Sequence, residues 1–389
     1  MTKQKLLLLD GNSILNRAYF ALPPLNDSEG RNVNAVYGFV NVLLKASQDY
    51  SADKIIVAFD MRGRNFRKDI YSEYKANRSG MPDDLAAQMP ILHELLALMK
   101  VSVVEKSGVE ADDIIGTISK AYDGDSYIVS GDRDMFQLVS DKTTVLFTKR
   151  GVTDVEVITP SSLMTNYSLT PHQVIEYKAL RGDTSDNIPG VKGVGEKTAM
   201  QLLSKYGNID KLYENVENEK GALRDKLIAD REMAYISRKL ATIVTDADVE
   251  FDVNDCGSYE LNGNVRQMME KLQFKSIVSR LDFGGDGVSS SVTEVERVEI
   301  TSVDDLKRVA DEMVSSPYFA FYFTESEIIL SNDATREYRA RLSDSFLDEL
   351  TLQTAFDVVS PALASSTPKA VYDAKTMRRD LDKLGVTIS

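Results

Sequence analysis

The chain has 389 residues, 43% of them hydrophobic, and a formal net charge of −14. This length exceeds what one hydrophobic core usually serves, so two or three domains are expected. A single cysteine, Cys256, cannot form an internal disulfide, and with two histidines the chain lacks the residues for a Cys/His zinc site. No apolar stretch reaches the length of a membrane span, and we expect a reducing, cytoplasmic location.

The first third of the chain alternates short apolar runs with amphipathic helical patterns such as residues 34–50. The apolar runs are residues 5–10, 54–60, 101–105 and 126–132. Each is typical of a buried parallel strand. The alternation predicts an α/β domain over residues 1–165, with a mainly parallel central sheet and helices on both faces.

Acidic residues stand where the predicted strands end and at the start of the helix in GVEADDIIG, residues 108–116. These residues are Asp10, Asp60, Glu110, Asp112, Asp113, Asp132 and Asp134, and Asp183 and Asp186 can join them from RGDTSDNIPG. A lone aspartate is more often a helix cap or a loop residue. Because ligands bind beyond the carboxyl ends of parallel strands, several such residues together predict one shared pocket.

Carboxylates gathered in one pocket repel one another. Two charges 4 Å apart cost roughly 4 kcal/mol at an effective dielectric of about 20, and a typical domain is stable by only about 5–15 kcal/mol. Oxygen ligands without His or Cys select hard cations, so the sequence predicts two Mg²⁺ or Mn²⁺ ions. Two divalent ions leave nine carboxylates net negative, so a phosphodiester needs basic side chains to approach.

The segment 62–78, RGRNFRKDIYSEYKANR, supplies such side chains directly after Asp60. In isolation it is best interpreted as a solvated basic loop. Beside the acidic pocket it is better interpreted as a phosphate clamp. Tyr71 and Tyr74 either stack on unpaired bases or pack inside the protein, and the sequence leaves both open.

From residue 160 the pattern is helical, with a Gly-rich turn between two helices in GVKGVGEKTAMQLL, residues 190–203. Its glycines permit close backbone approach, its lysines add positive charge, and a helix begins at Glu196. Backbone N–H groups at such a helix start bind phosphate without reading bases. After a Gly/Ser-rich linker at 282–294, a smaller α/β region follows, with a helix near 302–316.

These motifs resemble the structure-specific 5′-nucleases, or flap endonucleases, and within them the amino-terminal nuclease domain of bacterial DNA polymerase I. The matching stretches are LLLLDGNSILNRAYFAL, AFDMRGRNFRKDIYSEYKANRSGMPDDL, GVEADDIIGT, SGDRDMFQLV and LRGDTSDNIPGVKGVGEKTAMQLL. They span most of residues 5–207, and the family's domain would reach about 281. The resemblance implies a PIN/5′-nuclease-like core with an arch at 61–82. It also implies a helical DNA-binding subdomain at 166–281, whose helix–turn–helix lies at 183–206.

The resemblance also implies roles for individual residues. Those expected to bind the first metal are Asp10, Asp60, Glu110, Asp112 and Asp113, and those expected to bind the second are Asp132, Asp134, Asp183 and Asp186. Those expected to act in catalysis are Lys75, Arg78 and Asp113. Those expected to contact DNA are Arg67, Tyr71, Lys75, Arg78, Gly190, Lys192, Gly193, Gly195, Lys197 and Thr198. A K⁺ ion at the helix–turn–helix is a further implication.

Residues 295–389 resemble part of a 3′–5′ proofreading exonuclease domain, with a departure. Tyr322 and Thr324 stand where that family carries two metal-binding carboxylates, and Met377 stands where it carries an aspartate. The resemblance therefore implies a degenerate domain without metals. Since the sequence stops at Ser389, we expect a polymerase domain to follow in a longer protein.

The predicted function is Mg²⁺-dependent hydrolysis of phosphodiesters at 5′ ends or flaps in branched, flapped or nicked DNA, including RNA primers. The protein is expected to be monomeric and to act at the bacterial nucleoid. Two alternatives remain. A non-catalytic scaffold for branched DNA would lack part of the carboxylate set, and a PIN-like ribonuclease would not need the Gly-rich turn at residues 190–203.

Overall fold

The computed structural model describes residues 4–283 and 296–388, apart from residues 62, 64, 79, 151–153, 250, 325, 334, 335, 344–349, 372, 373, 384 and 387. The chain divides into two compact units after Gly285. Almost all of the predicted linker, from residue 284 to residue 294, lies outside the described residues. Arg62 and Arg64 of the basic segment also lie outside them.

The first unit contains a six-stranded sheet. Its strands are β1 (Lys5–Asp10), β2 (Lys54–Ala58), β3 (Ser102–Val104), β4 (Asp125–Ser130), β5 (Thr143–Arg150) and β6 (Asp154–Ile158). The order is β3-β2-β1-β4-β5-β6, with the first five strands parallel and β6 antiparallel to β5. All four predicted strands are present, whereas β5 and β6 were not predicted.

Both faces of this sheet are covered, as β1 shows most directly. Its four leucines are fully buried and alternate between two cores. Leu7 and Leu9 belong to one core, and Leu6 and Leu8 belong to the other. Burying a leucine side chain contributes roughly 1.5–3 kcal/mol, and a strand buried on both faces is typical of a parallel sheet.

The helices of the first unit are α1 (Gly11–Ala21), α2 (Asn34–Tyr50), α3 (Phe66–Ile70), α4 (Asp83–Ala86), α5 (Gln88–Leu98), α6 (Ala111–Ala121), α7 (Pro160–Tyr167), α8 (Pro171–Arg181), α9 (Glu196–Tyr206), α10 (Ile209–Glu214), α11 (Gly221–Ala229), α12 (Arg231–Ala241), α13 (Gly263–Lys271) and α14 (Lys275–Val278). Helices α8 to α12 share a core of their own. The predicted grouping of 166–281 as one helical subdomain is wrong at its end. Helices α13 and α14 instead pack in the sheet core that contains α2 and α5.

Neighbouring strands are added on opposite sides of β1, because β2 follows on one side and β4 lies on the other. Open parallel sheets bind ligands beyond the carboxyl ends of the strands at such a reversal. Asp10 ends β1 and Ser130 ends β4. The topology therefore places the predicted acidic pocket at the reversal point.

The second unit is a smaller mixed sheet with helices. Its strands are β7 (Glu296–Ile300), β8 (Phe319–Phe323), β9 (Glu327–Ser331), β10 (Arg336–Arg341) and β11 (Lys369–Val371), and its helices are α15 (Val303–Ser315), α16 (Leu352–Ala364) and α17 (Ala374–Lys383). The strand order is β11-β8-β9-β10-β7. The predicted helix near 302–316 is present as α15. In the part of the chain that the structure describes, no helix is long and apolar enough to cross a membrane.

Candidate active site

Asp10 lies at the centre of the acidic edge. One carboxylate oxygen accepts a hydrogen bond from the backbone N–H of Ser13 (3.0 Å), which caps α1, and the other accepts one from the hydroxyl of Ser130 (2.7 Å). Burial raises the pKa of Asp10 to about 7 despite these hydrogen bonds, and the charges of Asp60 and Asp132 add to the rise. The strand ends therefore converge as predicted.

The start of α6 carries three more carboxylates. Glu110, Asp112 and Asp113 each place one oxygen within 4.8 Å of the others, close enough to share a metal ion. Burial raises the pKa of Asp112 well above its usual range, and the charges of Glu110 and Asp113 raise it further. Asp60 accepts a hydrogen bond from the backbone N–H of Ala111 (2.8 Å), which brings it to the same helix start.

Arg67 has a position that the sequence did not predict. Its guanidinium is 1% exposed and forms a bidentate ion pair with Asp113, both contacts at 2.7 Å. It also donates to Glu110 (2.9 Å) and to the carbonyls of Leu240 (3.0 Å) and Thr242 (2.8 Å). All of its N–H donors are thus used inside the protein. The expectation that Arg67 contacts DNA is wrong for this structure, because the side chain is enclosed.

Asp113 is enclosed in the protein together with Arg67. Both of its oxygens bind Arg67, one of them also accepts the backbone N–H of Val244 (2.8 Å), and the side chain is 1% exposed. An aspartate so enclosed holds α3 against α6 through Arg67. Asp113 thus has a positioning role in this structure, and its metal-binding and catalytic roles stay predictions.

The arch segment lies directly on the carboxylates. Lys75 Nζ is 2.7 Å from Glu110 and 3.9 Å from Asp186, and Arg78 forms an ion pair with Asp186. Tyr74 is buried beside Leu240 and donates its hydroxyl to Glu110 (3.1 Å). The two alternatives for this tyrosine are thus resolved in favour of packing, and Tyr71 packs partly buried in the same cluster.

The arch is also attached to the loop that carries Asp183 and Asp186. Asn77 donates to the carbonyl of Thr184 (2.6 Å), and Asn187 donates to the carbonyl of Glu73 (2.7 Å). The backbone N–H of Lys75 donates to the carbonyl of Asp186 (2.9 Å). These contacts between elements distant in sequence place Lys75 and Arg78 at the acidic edge.

A second ionic group surrounds Lys178, which the sequence analysis missed. Its ammonium group contacts Asp134 and lies 2.5 Å from Asp183. Burial raises the pKa of Asp134 to about 7, Asp132 adds to the rise, and Lys178 opposes it. Burial also disfavours the charged form of Asp183, but Lys178 and Ser185 outweigh it, so its pKa falls to about 2. No helical spacing indicates this contact, because Asp183 lies five residues after Lys178 and outside α8, and Asp134 is distant in the sequence.

All nine predicted carboxylates thus belong to one connected edge. The negative charge of Asp132 raises the pKa values of both Asp10 and Asp134, and the charge of Asp186 also raises that of Asp134. The basic side chains bound among them are Arg67, Lys75, Arg78 and Lys178. These basic side chains offset part of the repulsion for which the sequence analysis invoked metal ions. The acids still outnumber the bases, and neighbouring carboxylates add to the burial that raises the pKa values of Asp10, Asp112 and Asp134, an effect that a bound cation would oppose. The group of carboxylates at α6 is a candidate metal site.

The Gly-rich turn between α8 and α9 is formed as predicted. Gly190 has a φ of +63°, and a Cβ there would lie 2.3 Å from the backbone nitrogen of Gly182, so the turn needs glycine. Gly195 precedes α9 without a side-chain cap on the helix, and Lys192 and Lys197 are exposed. The first N–H groups of α9 thus have no capping hydrogen bond from the side chain of the N-cap residue, because that residue is a glycine.

Two family models match the first unit. The model described as 5′-3′ exonuclease, N-terminal resolvase-like domain, covers residues 5–168. The model described as 5′-3′ exonuclease, C-terminal SAM fold, covers residues 169–264. The chain belongs to the 5′-3′ exonuclease family. The acidic edge and the Gly-rich turn both lie within the matched residues of this nuclease family.

Individual relatives agree with this assignment. DNA polymerase I of Caldicellulosiruptor bescii is 37% identical over 388 residues, which are 97% of this chain and 44% of that protein. DNA polymerase I of Bacillus subtilis is 41% identical over 320 residues, which are 81% of this chain and 36% of that protein. The chain therefore spans less than half the length of these relatives.

The fold is also found among solved structures. The T5 5′-exonuclease, in a structure with bound divalent metal ions (zinc), matches with a TM-score of 0.51 and 22% sequence identity. The match covers 71% of this chain and 99% of the T5 protein. At this identity the comparison establishes a shared fold.

Proposed function

We propose that the first unit hydrolyses phosphodiester bonds at 5′ ends or flaps of DNA, with two Mg²⁺ or Mn²⁺ ions held at the acidic edge. The observation that carries the proposal is the convergence of carboxylates at the strand reversal, with Lys75 and Arg78 of the arch in direct contact with them. Acids alone would repel the substrate, whereas acids with two adjacent cations can accept both a metal ion and a phosphate.

The reaction is hydrolysis of the bond between phosphorus and the 3′ oxygen. A water oxygen bonds to the phosphorus, the 3′ oxygen leaves and takes up a proton, and the new end keeps its 5′-phosphate. Divalent ions bound by carboxylates lower the pKa of water and offset charge on the leaving oxygen. Asp10, Glu110 and Asp112 are suited to hold one such ion, and Asp132, Asp134 and Asp183 are suited to hold a second.

Lys75 and Arg78 are proposed to bind the phosphate that reacts. In the structure their partners are Glu110 and Asp186. Because Glu110 and Asp186 are also candidate metal ligands, a cation held by them would leave Lys75 and Arg78 free to bind an incoming phosphate. Positive groups aimed at charge that develops during the reaction stabilise its transition state.

The turn before α9 is proposed to hold the DNA duplex. Its exposed lysines and the N–H groups at the start of α9 contact phosphates and read shape rather than bases. A K⁺ ion bound by carbonyl oxygens of this turn would strengthen the same contact. Affinity should therefore fall steeply with salt concentration.

The biological setting is proposed from the relatives. Both are DNA polymerases I, so we propose that this nuclease acts on displaced strands and RNA primers that a covalently linked polymerase exposes during replication and repair. The protein would act as a monomer in the bacterial cytoplasm.

A comparison of three substrates tests the proposed activity. The full chain should cut flapped DNA in Mg²⁺, should cut plain duplex and single-stranded RNA far more slowly, and should cut nothing in excess EDTA. Binding of flapped DNA without cleavage would favour a scaffold, and preferential cleavage of the RNA would favour a ribonuclease. Either result would overturn the proposal.

A further inference from the structure

A cleft of about 470 Å³ is lined in part by Lys178 and its partners Asp134 and Asp183. It is also lined by the charged side chain of Asp132 and by apolar side chains that include Phe136. The volume lies within the range of small-ligand pockets, roughly 300–1,000 Å³. The cleft is therefore large enough for a small ligand immediately next to the acidic edge.

Two arginines line this cleft in an unusual state. The Arg133 guanidinium carbon lies 5.9 Å from the centre of the Phe147 ring and 5.7 Å from that of Tyr167, and the Arg181 carbon lies 5.6 Å from the centre of the Tyr177 ring. Both arginines are exposed. Among the described residues, neither guanidinium has a carboxylate or hydrogen-bonding partner.

Two unpaired arginines are notable in a chain of net charge −14. A guanidinium that rests on an aromatic ring is restrained in orientation, while its N–H donors stay available. Its planar fork matches the oxygens of a phosphate. A terminal phosphate carries a charge of roughly −1.5 to −2 at neutral pH, which two guanidinium groups can neutralise. A phosphodiester carries a single charge and needs only one.

We propose that this cleft binds the nucleotide at the 5′ end of the strand being cut, with Arg133 and Arg181 holding its terminal 5′-phosphate. The proposal rests on the proposed function and adds a preference to it. Asp132, Asp134 and Asp183 line the same cleft and repel the terminal phosphate, so the phosphate binds at the two arginines rather than at these acids. Glu196, which also lines the cleft, opposes the phosphate and confines it to the two arginines.

The test compares one nicked duplex with either a 5′-phosphate or a 5′-hydroxyl at the nick. The wild-type protein should cut the phosphorylated substrate with a KM at least about tenfold lower. The double variant Arg133→Gln/Arg181→Gln should lose this difference, with a smaller change in kcat. Deoxyadenosine 5′-monophosphate should inhibit the wild type more strongly than deoxyadenosine does, and the variant should not distinguish them.

Arg231→Gln is the matched control, because Arg231 is also exposed and lies 5.4 Å from the centre of the Tyr213 ring, outside the cleft. It should keep the preference for the phosphorylated nick. Equal KM values for both substrates in the wild type, or a preference that survives in a double variant with an unchanged melting temperature, would overturn the inference. Absence of any cleavage by the wild type would instead overturn the proposed function.

Discussion

Both units contain a β-sheet with helices, but their charged side chains are arranged differently. At the sheet edge of the first unit, nine carboxylates share four basic side chains and several are buried. On the second unit's sheet, acids and bases pair across the neighbouring strands β7 and β10 at the surface, as in Arg336 with Glu296 (2.7 Å) and Arg341 with Glu299 (3.6 Å). The first arrangement has negative charge in excess, and the second is balanced.

The positions expected to be degenerate in the second unit agree with this difference. Met377 is 6% exposed and packs in the hydrophobic core, and Tyr322 is 41% exposed on β8. Among the described residues of this unit, no three metal-ligand side chains converge. Both units have a sheet, but in the first unit the strand ends carry more acids than bases, and its candidate metal site lies there. That the unit derives from a proofreading exonuclease stays a prediction.

The largest effect is expected from breaking the buried ion pair of the first unit. Arg67→Met leaves Asp113 buried without a cation, which should lower the free energy of unfolding by about 3–5 kcal/mol. Urea unfolding of the full chain measures it. The double variant Arg67→Met/Asp113→Leu should recover most of the loss, because apolar residues can replace a buried pair. A loss under about 1 kcal/mol in the single variant would contradict the positioning role.

The next effect concerns turnover. Asp10→Asn removes a candidate metal ligand and should lower the single-turnover rate on flapped DNA by more than the roughly 10–100-fold typical of outer partners of a metal site. DNA binding in a gel-shift assay should be retained. Asp49→Asn is the control, since Asp49 is an exposed acid paired with Lys45, and it should cut normally. A normal rate for Asp10→Asn would remove Asp10 from the metal site.

A smaller effect is expected at the arch. Lys75→Ala should slow cleavage by about 100-fold, as loss of one charge-stabilising donor does, while DNA affinity changes less. The matched control is Lys120→Ala, because Lys120 lies exposed at the far end of α6. If Lys75→Ala cuts at the normal rate, the arch has no role in the reaction.

The smallest effect is expected in the second unit. Tyr322→Asp/Thr324→Glu places two acids where the proofreading family carries them and should change stability by no more than about 0.5 kcal/mol per surface site. It should also add nothing to the stabilisation by Mn²⁺, which for the first unit is about 2.7 kcal/mol at 100 times the dissociation constant. Calorimetry with and without Mn²⁺ checks this. An additional metal-dependent rise in melting temperature would show that the second unit keeps the geometry of a metal site once the two acids are introduced.

The sequence was most informative where a pattern is local. Apolar runs ending in aspartate predicted four strands, and glycines between two helical patterns predicted the turn before α9. Strand β6 was missed because it is an exposed edge strand whose apolar residues Val155 and Val157 face partly outward. Strand β5 was also missed, although its residues Val145, Leu146 and Phe147 are buried. Lys178 was missed because its partner Asp134 is 44 positions away in the chain, and Arg67 was misplaced for the same reason.

The sequence alone determined which acids are present, that they follow strands, and hence that they meet at one edge. Only the tertiary structure decided which acids remain available there. The sequence does not show whether an aspartate and an arginine face the pocket or are enclosed together. Asp113 and Arg67 are enclosed because α3 packs against α6 and the end of α12, and burial makes their mutual pairing obligatory.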